Sequence, residues 1–410
     1  MEVDNRTRLP YLVLGLTCLF GYFFKAHCGI GWIDGIQYTS GCYSDVVPFW
    51  GLRGVADGAV PYLQARMEYP VLTGAQIWIE GGIARLIGGA GANPATFLFV
   101  VVAVNSGLAF VILWLMQRAG VPRARLYAWS AAPPLILYLG HNWDLAAAAL
   151  AVAAMLAARR GAAFRAVQFA ALGAAAKLFP VLLLPLVGLG ALFRRDTAWR
   201  DRLLSTALLA LTAVLAWGAV NLPVALAAFT NWSEFYAFSG ARSGTAASVW
   251  ELLAAFGVWQ APVPLRNVAS FAAFMIGAGA IVLLGWRRHG DRLWLLFTPV
   301  LAWFLLTNKV YSPQFDLWLY PLLVLTSYRL WPLAWFALGD VAAHFAEFWW
   351  FAGMEGRTPS ATMNDIALAA AFRGAAMLWI IVAALRQPAP DWVTPPADSP
   401  RHPDRPIPIG

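Results

Sequence analysis

Charged residues are what this sequence lacks most: Asp, Glu, Lys and Arg make up 12% of its 410 residues, against 60% that are hydrophobic. Soluble proteins carry roughly 25% charged residues, so a soluble enzyme is excluded and an integral membrane protein is expected. The mean hydropathy of +0.63 agrees. Cysteine is scarce too, with 3 in the chain, which excludes a disulfide-rich or cysteine-ligated metal scaffold. At roughly 20 apolar residues per crossing, about a dozen spans would use most of the length, and no large soluble catalytic domain fits beside them. Chemistry must then sit on loops and helix ends. The net charge of +8 would suggest a nucleic-acid partner in a soluble protein. Here arginine-rich inner loops account for it, and no nucleic acid is expected.

What is present is a series of apolar stretches at 9–24, 95–116, 126–139, 143–158, 165–177, 178–193, 203–222, 267–285, 293–307, 314–328, 330–350 and 364–385. Two longer runs are each divided. Pro133-Pro134 with His141-Asn142-Trp143-Asp144 interrupts the first, and Lys177 with Pro180 interrupts the second. A mid-membrane charge is costly and an interior proline breaks a helix, so each run is read as two spans meeting outside. The expected fold is an all-α integral membrane protein of about twelve spans. Its membrane domain covers 1–385, and a disordered, proline-rich cytoplasmic tail covers 386–410. Arg6 and Arg8 ahead of an apolar core resemble a signal peptide, but no small-x-small cleavage site follows Phe24, so a retained first helix is expected.

Short segments dense in arginine (Arg118, Arg123, Arg125; Arg159, Arg160, Arg165; Arg194, Arg195, Arg200, Arg202; Arg287, Arg288, Arg292) alternate with longer, poorer ones. The positive-inside rule then puts both termini in the cytoplasm and all three lysines, Lys25, Lys177 and Lys309, outside. The outer side begins with a polar loop of about fifty residues, far longer than an ordinary connection, carrying Asp34, Asp45, Arg53, Asp57, Tyr62, Arg66 and Glu68. Its end, residues 73–88, sets Ile79, Ile83, Leu86 and Ile87 opposite Gln76, Glu80 and Arg85, which suits a helix lying in the interface. Cys28 and Cys42 share this loop, either bridged or as free thiols, and Cys18 is expected to be a small buried residue. His141, Asn142 and Asp144, then Glu234, Arg242 and Ser248, then Lys309, Tyr311, Gln314 and Asp316 join them on the outer face.

Carboxylates, cations and aromatic rings gathered on one face suit transfer from a lipid-linked anionic donor to a hydroxyl. One carboxylate takes the hydroxyl proton while cations hold the departing phosphate. Asp45 and Glu68 are the candidate bases, and Lys177, Arg242 and Lys309 the candidate phosphate ligands. Each has a plainer reading: solvated loop carboxylates, lysines snorkelling to headgroups, and a helix-capping turn at His141–Asp144 with Asn142 as the cap. In the span 330–350, Asp340, His344 and Glu347 share one helix face. A metal site, a proton path and a buried hydrogen-bonded network are the readings there, and the network is favoured because a single span supplies too few ligands for a cation.

The motifs Cys42-Tyr43-Ser44-Asp45, Arg53-Gly54, Pro61-Tyr62, Glu68-Tyr69-Pro70, Lys177-Leu178-Phe179-Pro180, Phe238-Ser239 with Arg242, Ser248-Val249-Trp250 and Lys309-Val310-Tyr311-Ser312-Pro313-Gln314 resemble the actinobacterial polyprenol-phosphate-dependent mannosyltransferases, glycosyltransferase family 87 of the GT-C fold class. The likeness covers nearly all of 1–385. It implies a multi-pass plasma-membrane enzyme with a periplasmic active site. That enzyme inverts configuration as it moves a sugar, mannose by the resemblance, from a polyprenyl phosphate to a glycolipid or glycan acceptor. It assigns Asp45 as base, Lys177, Arg242 and Lys309 to the donor phosphate, and Tyr62, Glu68, His141, Asp144, Tyr311 and Gln314 to substrate. No metal or other cofactor is implied, and the first outer loop has no Asp-x-Asp pair. The segment Ser243–Ala247 departs from the family pattern, which bears on acceptor choice. Arabinose as the transferred sugar, a lipid or solute transporter, and an inactive sugar-binding relative are the competing expectations.

Overall fold

The structure, a computed structural model, describes residues 5–393. Among these residues every regular element is helical and no strand forms, as the composition requires. Each of the twelve apolar stretches contains helix, but the helices differ in length. Five helices are long and apolar enough to cross a membrane: Arg8–Ala26, Pro94–Arg118, Trp199–Ala227, Val263–His289 and Met363–Arg386. Trp331–Met354 is comparably long but carries Asp340, His344 and Glu347. The remaining stretches form shorter pieces, so twelve independent spanning helices are not what the structure contains.

The reason is local. Pro133 and Pro134 start a new helix after a break at 131–132, dividing the third stretch into Arg123–Ser130 and Pro133–Tyr138. The fifth and sixth end and begin around Lys177, giving Ala163–Ala174 and, after a 3-10 turn, Leu183–Leu192. At 1.5 Å per residue, the 15 residues of Leu145–Arg159 reach about 22 Å, short of the roughly 30 Å hydrocarbon layer. The breaks at 139–144 and 175–178 carry the polar side chains His141, Asn142, Asp144 and Lys177, all of them buried.

The breaks at 139–144 and 175–178 meet the first long loop and the helix that closes it, through Ser44 and Asp45 on Gly140 and His141 and through Leu72 and Thr73 on Ala175 and Ala176. The helix Val71–Gly88 closes that loop with Ile79, Leu86 and Ile87 exposed and Glu80 buried. Glu80 accepts hydrogen bonds from Trp143 Nε1 at 2.7 Å and Gln76 Nε2 at 2.8 Å. Its polar face therefore turns into the protein and its apolar face outward, the arrangement of a helix whose surroundings are lipid rather than water. The arginine-dense segments meet one another instead. Arg125 donates to the carbonyls of Val324 and Ser327 at 2.6 and 2.5 Å, and Arg159 to those of Ala119 and Trp392 at 3.0 and 2.5 Å. Trp392 and Val393 are thus docked against the bundle, so the expected disordered tail begins after an ordered stub. Residues 394–410 of that tail lie outside the described residues.

Between the two ends the core is aromatic and aliphatic, with Trp129, Trp143, Phe97, Phe297 and Phe336 fully buried. One ion pair sits inside it: Arg373 Nη1 lies 2.9 Å from Asp316 Oδ2, and the two side chains are 1% and 0% exposed. Tyr311 donates to the other oxygen of Asp316 at 2.5 Å, and Tyr138 donates to Asp340 Oδ1 at 2.5 Å. Burying charge is tolerable when it is paired and hydrogen-bonded, and these five residues come from four helices and the segment that precedes Pro313–Phe315. The expected network on the helix Trp331–Met354 is therefore present at Asp340. At His344, Nε2 lies 3.0 Å from the carbonyl of Gly41.

Candidate active site

The segment 41–45 is pinned from several sides. Lys25, fully buried, donates to the carbonyls of Gly41 and Tyr43 at 3.2 and 2.8 Å. Cys28 and Cys42 are bridged, which resolves the open choice in favour of a disulfide. Ser44 donates to the carbonyl of Gly140 at 2.5 Å, and the amide of Asp45 to that of His141 at 2.9 Å. The Asp45 side chain does not cap the short helix Val46–Leu52 that it precedes. It turns into a cavity of about 520 Å³, a volume typical of small-molecule sites.

Around Asp45 the hydrogen bonds form a closed set. Tyr43 donates to Oδ1 at 3.0 Å, Tyr69 to Oδ2 at 3.2 Å, and Asn142 Nδ2 to Oδ2 at 2.7 Å. Burial pushes the Asp45 carboxyl above the ordinary carboxylate range, while the bonds from Tyr43 and Tyr69 and the charge of Lys177 pull it back down. A carboxylate so placed has a raised proton affinity and remains accessible from the cavity, as a general base needs. Glu68, the other candidate base, also lines the cavity. It is held by Arg53 at 2.7 Å, which favours Asp45 for proton transfer.

The plainer reading of His141–Asp144, a helix-capping turn with Asn142 as the cap, does not match the structure. The capping position of Leu145–Arg159 is instead Asp144, without a side-chain cap bond. Asn142 links the base to a cation: its Oδ1 accepts from Lys177 Nζ at 3.1 Å. Lys177 also pairs with Asp144 Oδ1 at 3.2 Å and sits over the Tyr69 ring at 4.2 Å. Lys177 lines the cavity, but Asp144 neutralises its charge. Asp144 in turn accepts from Trp318 Nε1 at 2.8 Å and does not line the cavity, a correction to its expected substrate contact.

Arg242 and Lys309 differ from Lys177. Lys309 Nζ donates to the carbonyls of Gly240 and Arg242 at 3.0 and 2.8 Å, and the Arg242 guanidinium lies over the Phe238 ring at 5.3 Å. Neither faces a carboxylate among the described residues. Burial first, and then the charges of Arg242 and Arg266, lower the pKa of Lys309. The turn is braced by Thr245, whose Oγ1 accepts from the Tyr311 amide at 2.8 Å, and by the Arg266–Glu251 ion pair. Beside these cations the lining is apolar, with Leu178, Phe179, Phe235, Phe238 and Phe304.

Of the residues expected at the site, Asp45, Glu68, His141, Lys177, Arg242, Lys309 and Gln314 line this one cavity. Tyr62 does not: its hydroxyl donates to the carbonyl of Tyr69 at 2.8 Å and its ring fills the space over Gly74, so it shapes the loop. Tyr311 does not either, since its hydroxyl is taken by Asp316 and its ring lies 3.9 Å below the Arg373 guanidinium. Sequence reasoning missed Asn142, Tyr43 and Tyr69 as partners of the base, although their motifs flagged the segments. Among the described residues the one set of grouped metal donors is His27, Cys28 and Cys42, and the bridge occupies both sulfurs. No known family model matches the chain, and no curated protein matches it.

Proposed function

We propose that this protein is an inverting glycosyltransferase that moves a sugar, mannose in our reading, from a polyprenyl phosphate to a hydroxyl of a lipid or glycan acceptor at the outer face of the plasma membrane. The observation that carries the reading is the pairing, in one cavity, of a hydrogen-bonded carboxylate with raised proton affinity, Asp45, and two cations without carboxylate partners, Arg242 and Lys309.

In this reading the acceptor O–H gives its proton to Asp45 while its oxygen attacks the anomeric carbon. The bond from that carbon to the phosphate oxygen breaks. The phosphodiester, with one negative charge, becomes a polyprenyl monophosphate with a second. Arg242 and Lys309 meet that growing charge, where stabilisation lowers the barrier most. The apolar wall of Leu178, Phe179, Phe235 and Phe238 suits the first isoprene units. Lys177, held by Asp144 and Asn142, keeps the base oriented and its proton affinity in check.

The same reading completes the architecture. Arg123–Ser130 and Pro133–Tyr138, end to end across the break at 131–132, are read as one pass, and the segments 139–144 and 175–178 as outer turns between passes, giving about twelve membrane passes in a GT-C-like arrangement. Every cavity-lining residue comes from a segment read as outer or from a helix end facing it, and none from the arginine-dense segments, which supports an outward-facing site. Product analysis tests the reaction. Membranes with and without the protein receive radiolabelled polyprenyl-phosphate mannose and polyprenyl-phosphate arabinose in parallel. A protein-dependent mannosylated product is expected; an arabinosylated product would change the sugar, and flux without any product would replace the enzyme by a transporter.

A further inference from the structure

Between Thr96 and Gln117 the helix Pro94–Arg118 carries two polar side chains, Asn105 and Ser106. Ser106 donates back to the carbonyl of Val102 in its own helix at 2.7 Å. Asn105, 1% exposed, reaches instead to the break after Pro133–Tyr138, where its Nδ2 donates to the carbonyls of Leu139 at 2.8 Å and Asn142 at 3.0 Å. Two carbonyl oxygens around one terminal atom identify that atom as the amide nitrogen. Where a helix stops, backbone carbonyls lose their intrahelical donors, and inside a membrane protein the replacement must come from the protein itself. Asn105 supplies it twice.

The same helix holds the break at close range. A Cβ at Gly140 would lie 2.8 Å from Val102 Cγ2 and 3.2 Å from Leu98 Cδ1, so glycine at 140 lets the segment 139–142 lie directly against it. That segment in turn holds the first long loop. The carbonyl of Gly140 accepts from Ser44, the carbonyl of His141 accepts from the Asp45 amide, and the side chain of Asn142 donates to Asp45 Oδ2. These three contacts leave from three consecutive residues, and the two carbonyls held by Asn105 bracket them. Asn105 itself does not line the cavity.

We infer that Asn105 is a positioning residue for the base: it fixes the segment 139–142 against which Asp45 is aimed, and it touches neither donor nor acceptor. The word base rests on the transferase reading, whereas the fixing of the segment does not.

The test compares the full-length protein in lipid nanodiscs with Asn105→Leu, which removes both donors at similar volume, and with Asn105→Ala, which removes them without added bulk and keeps the result readable if the leucine variant fails to fold. Hydrogen exchange read by mass spectrometry should speed up about tenfold at the amides of 43–46 and 139–145 and stay unchanged at 309–316, elsewhere on the cavity wall. The rate of transfer should fall about tenfold while donor affinity stays within about twofold. Combined with Asn142→Leu, the Asn105 substitution should add little further loss, because both act on one hydrogen bond to Asp45; a residue that merely stabilised the bundle would add its full effect. Unchanged exchange at 43–46 and 139–145, an equal rise at 309–316, full additivity with Asn142→Leu, or donor affinity that falls with the rate overturns the inference. The expected local rise in exchange, in a protein that forms no glycosyl product even when unaltered, overturns the transferase reading alone and leaves Asn105 as the holder of the segment that aims the carboxylate. Product formed at an undiminished rate by the Asn105 variants overturns the positioning role alone.

Discussion

Asn142 donates to Asp45 Oδ2 at 2.7 Å, and its own oxygen is taken by Lys177, so one amide fixes both the direction of the carboxylate and its distance from the nearest neutralised cation. Asn142→Leu removes a hydrogen bond to a charged group, worth about 1.5–3 kcal/mol. The expected loss is about 10- to 100-fold in kcat. Donor affinity, measured by equilibrium binding of the polyprenyl-phosphate sugar, should stay within a few-fold. An equal fall in donor affinity would mean that Asn142 binds the donor.

The proton affinity of Asp45 sets a pH dependence. Burial raises it above the ordinary carboxylate value, and a base works only when deprotonated. Transfer should therefore rise with pH through a midpoint above about 3.9, the value of a free Asp, and then level off. Tyr69→Phe removes a hydroxyl that stabilises the charged form but keeps the ring under Lys177. The rising limb of kcat/KM should move to higher pH in this variant. A limb that stays in place, or moves down, would detach Asp45 from the profile.

Arg242 and Lys309 are expected to hold the donor's phosphate. Arg242→Gln should weaken donor binding by about tenfold or more, as loss of a charge-assisted hydrogen bond does, and should flatten its dependence on salt. Asp144→Asn, which leaves Lys177 without its ion-pair partner, should weaken donor binding much less. Competition with inorganic phosphate and decaprenyl phosphate reads both. Equal effects from the two variants would mean that the cavity has no preferred phosphate end.

Much of this was legible in the sequence because it depends on short-range rules. Apolar runs of about 20 residues and the prolines at 133, 134 and 180 located the helices and their breaks. Arginine density sorted the segments that meet around the cavity from those that meet away from it. The number of long helices was less legible, because an apolar run does not say whether a 3-10 turn or a proline will cut it below crossing length. Pairing was not legible at all. Lys177 and Asp144, or Arg373 and Asp316, are far apart in the chain, so nothing local shows which lysine is neutralised and which faces the cavity uncompensated. Tyr62 and Tyr311 misled for the same reason: a tyrosine in an informative motif can serve its own loop, as the hydroxyl of Tyr62 does with the Tyr69 carbonyl.

Sidedness can be read on whole cells. Asp57 lies exposed in the first long loop and Arg165 exposed in an arginine-dense segment. With Cys28 and Cys42 bridged and Cys18 buried, a membrane-impermeant maleimide should label Asp57→Cys on intact cells and Arg165→Cys only after permeabilisation. The reverse pattern would turn the cavity to the cytoplasm and remove the outer-face donor.

The most direct measurement is single-turnover transfer from polyprenyl-phosphate mannose by the purified protein, with Asp45→Asn alongside and the anomeric configuration of the product read by NMR. We predict one inverted product per polyprenyl monophosphate released, and transfer at least about 1,000-fold slower in Asp45→Asn with donor affinity retained. Retained configuration, or transfer that survives the loss of the Asp45 carboxylate, would contradict the account.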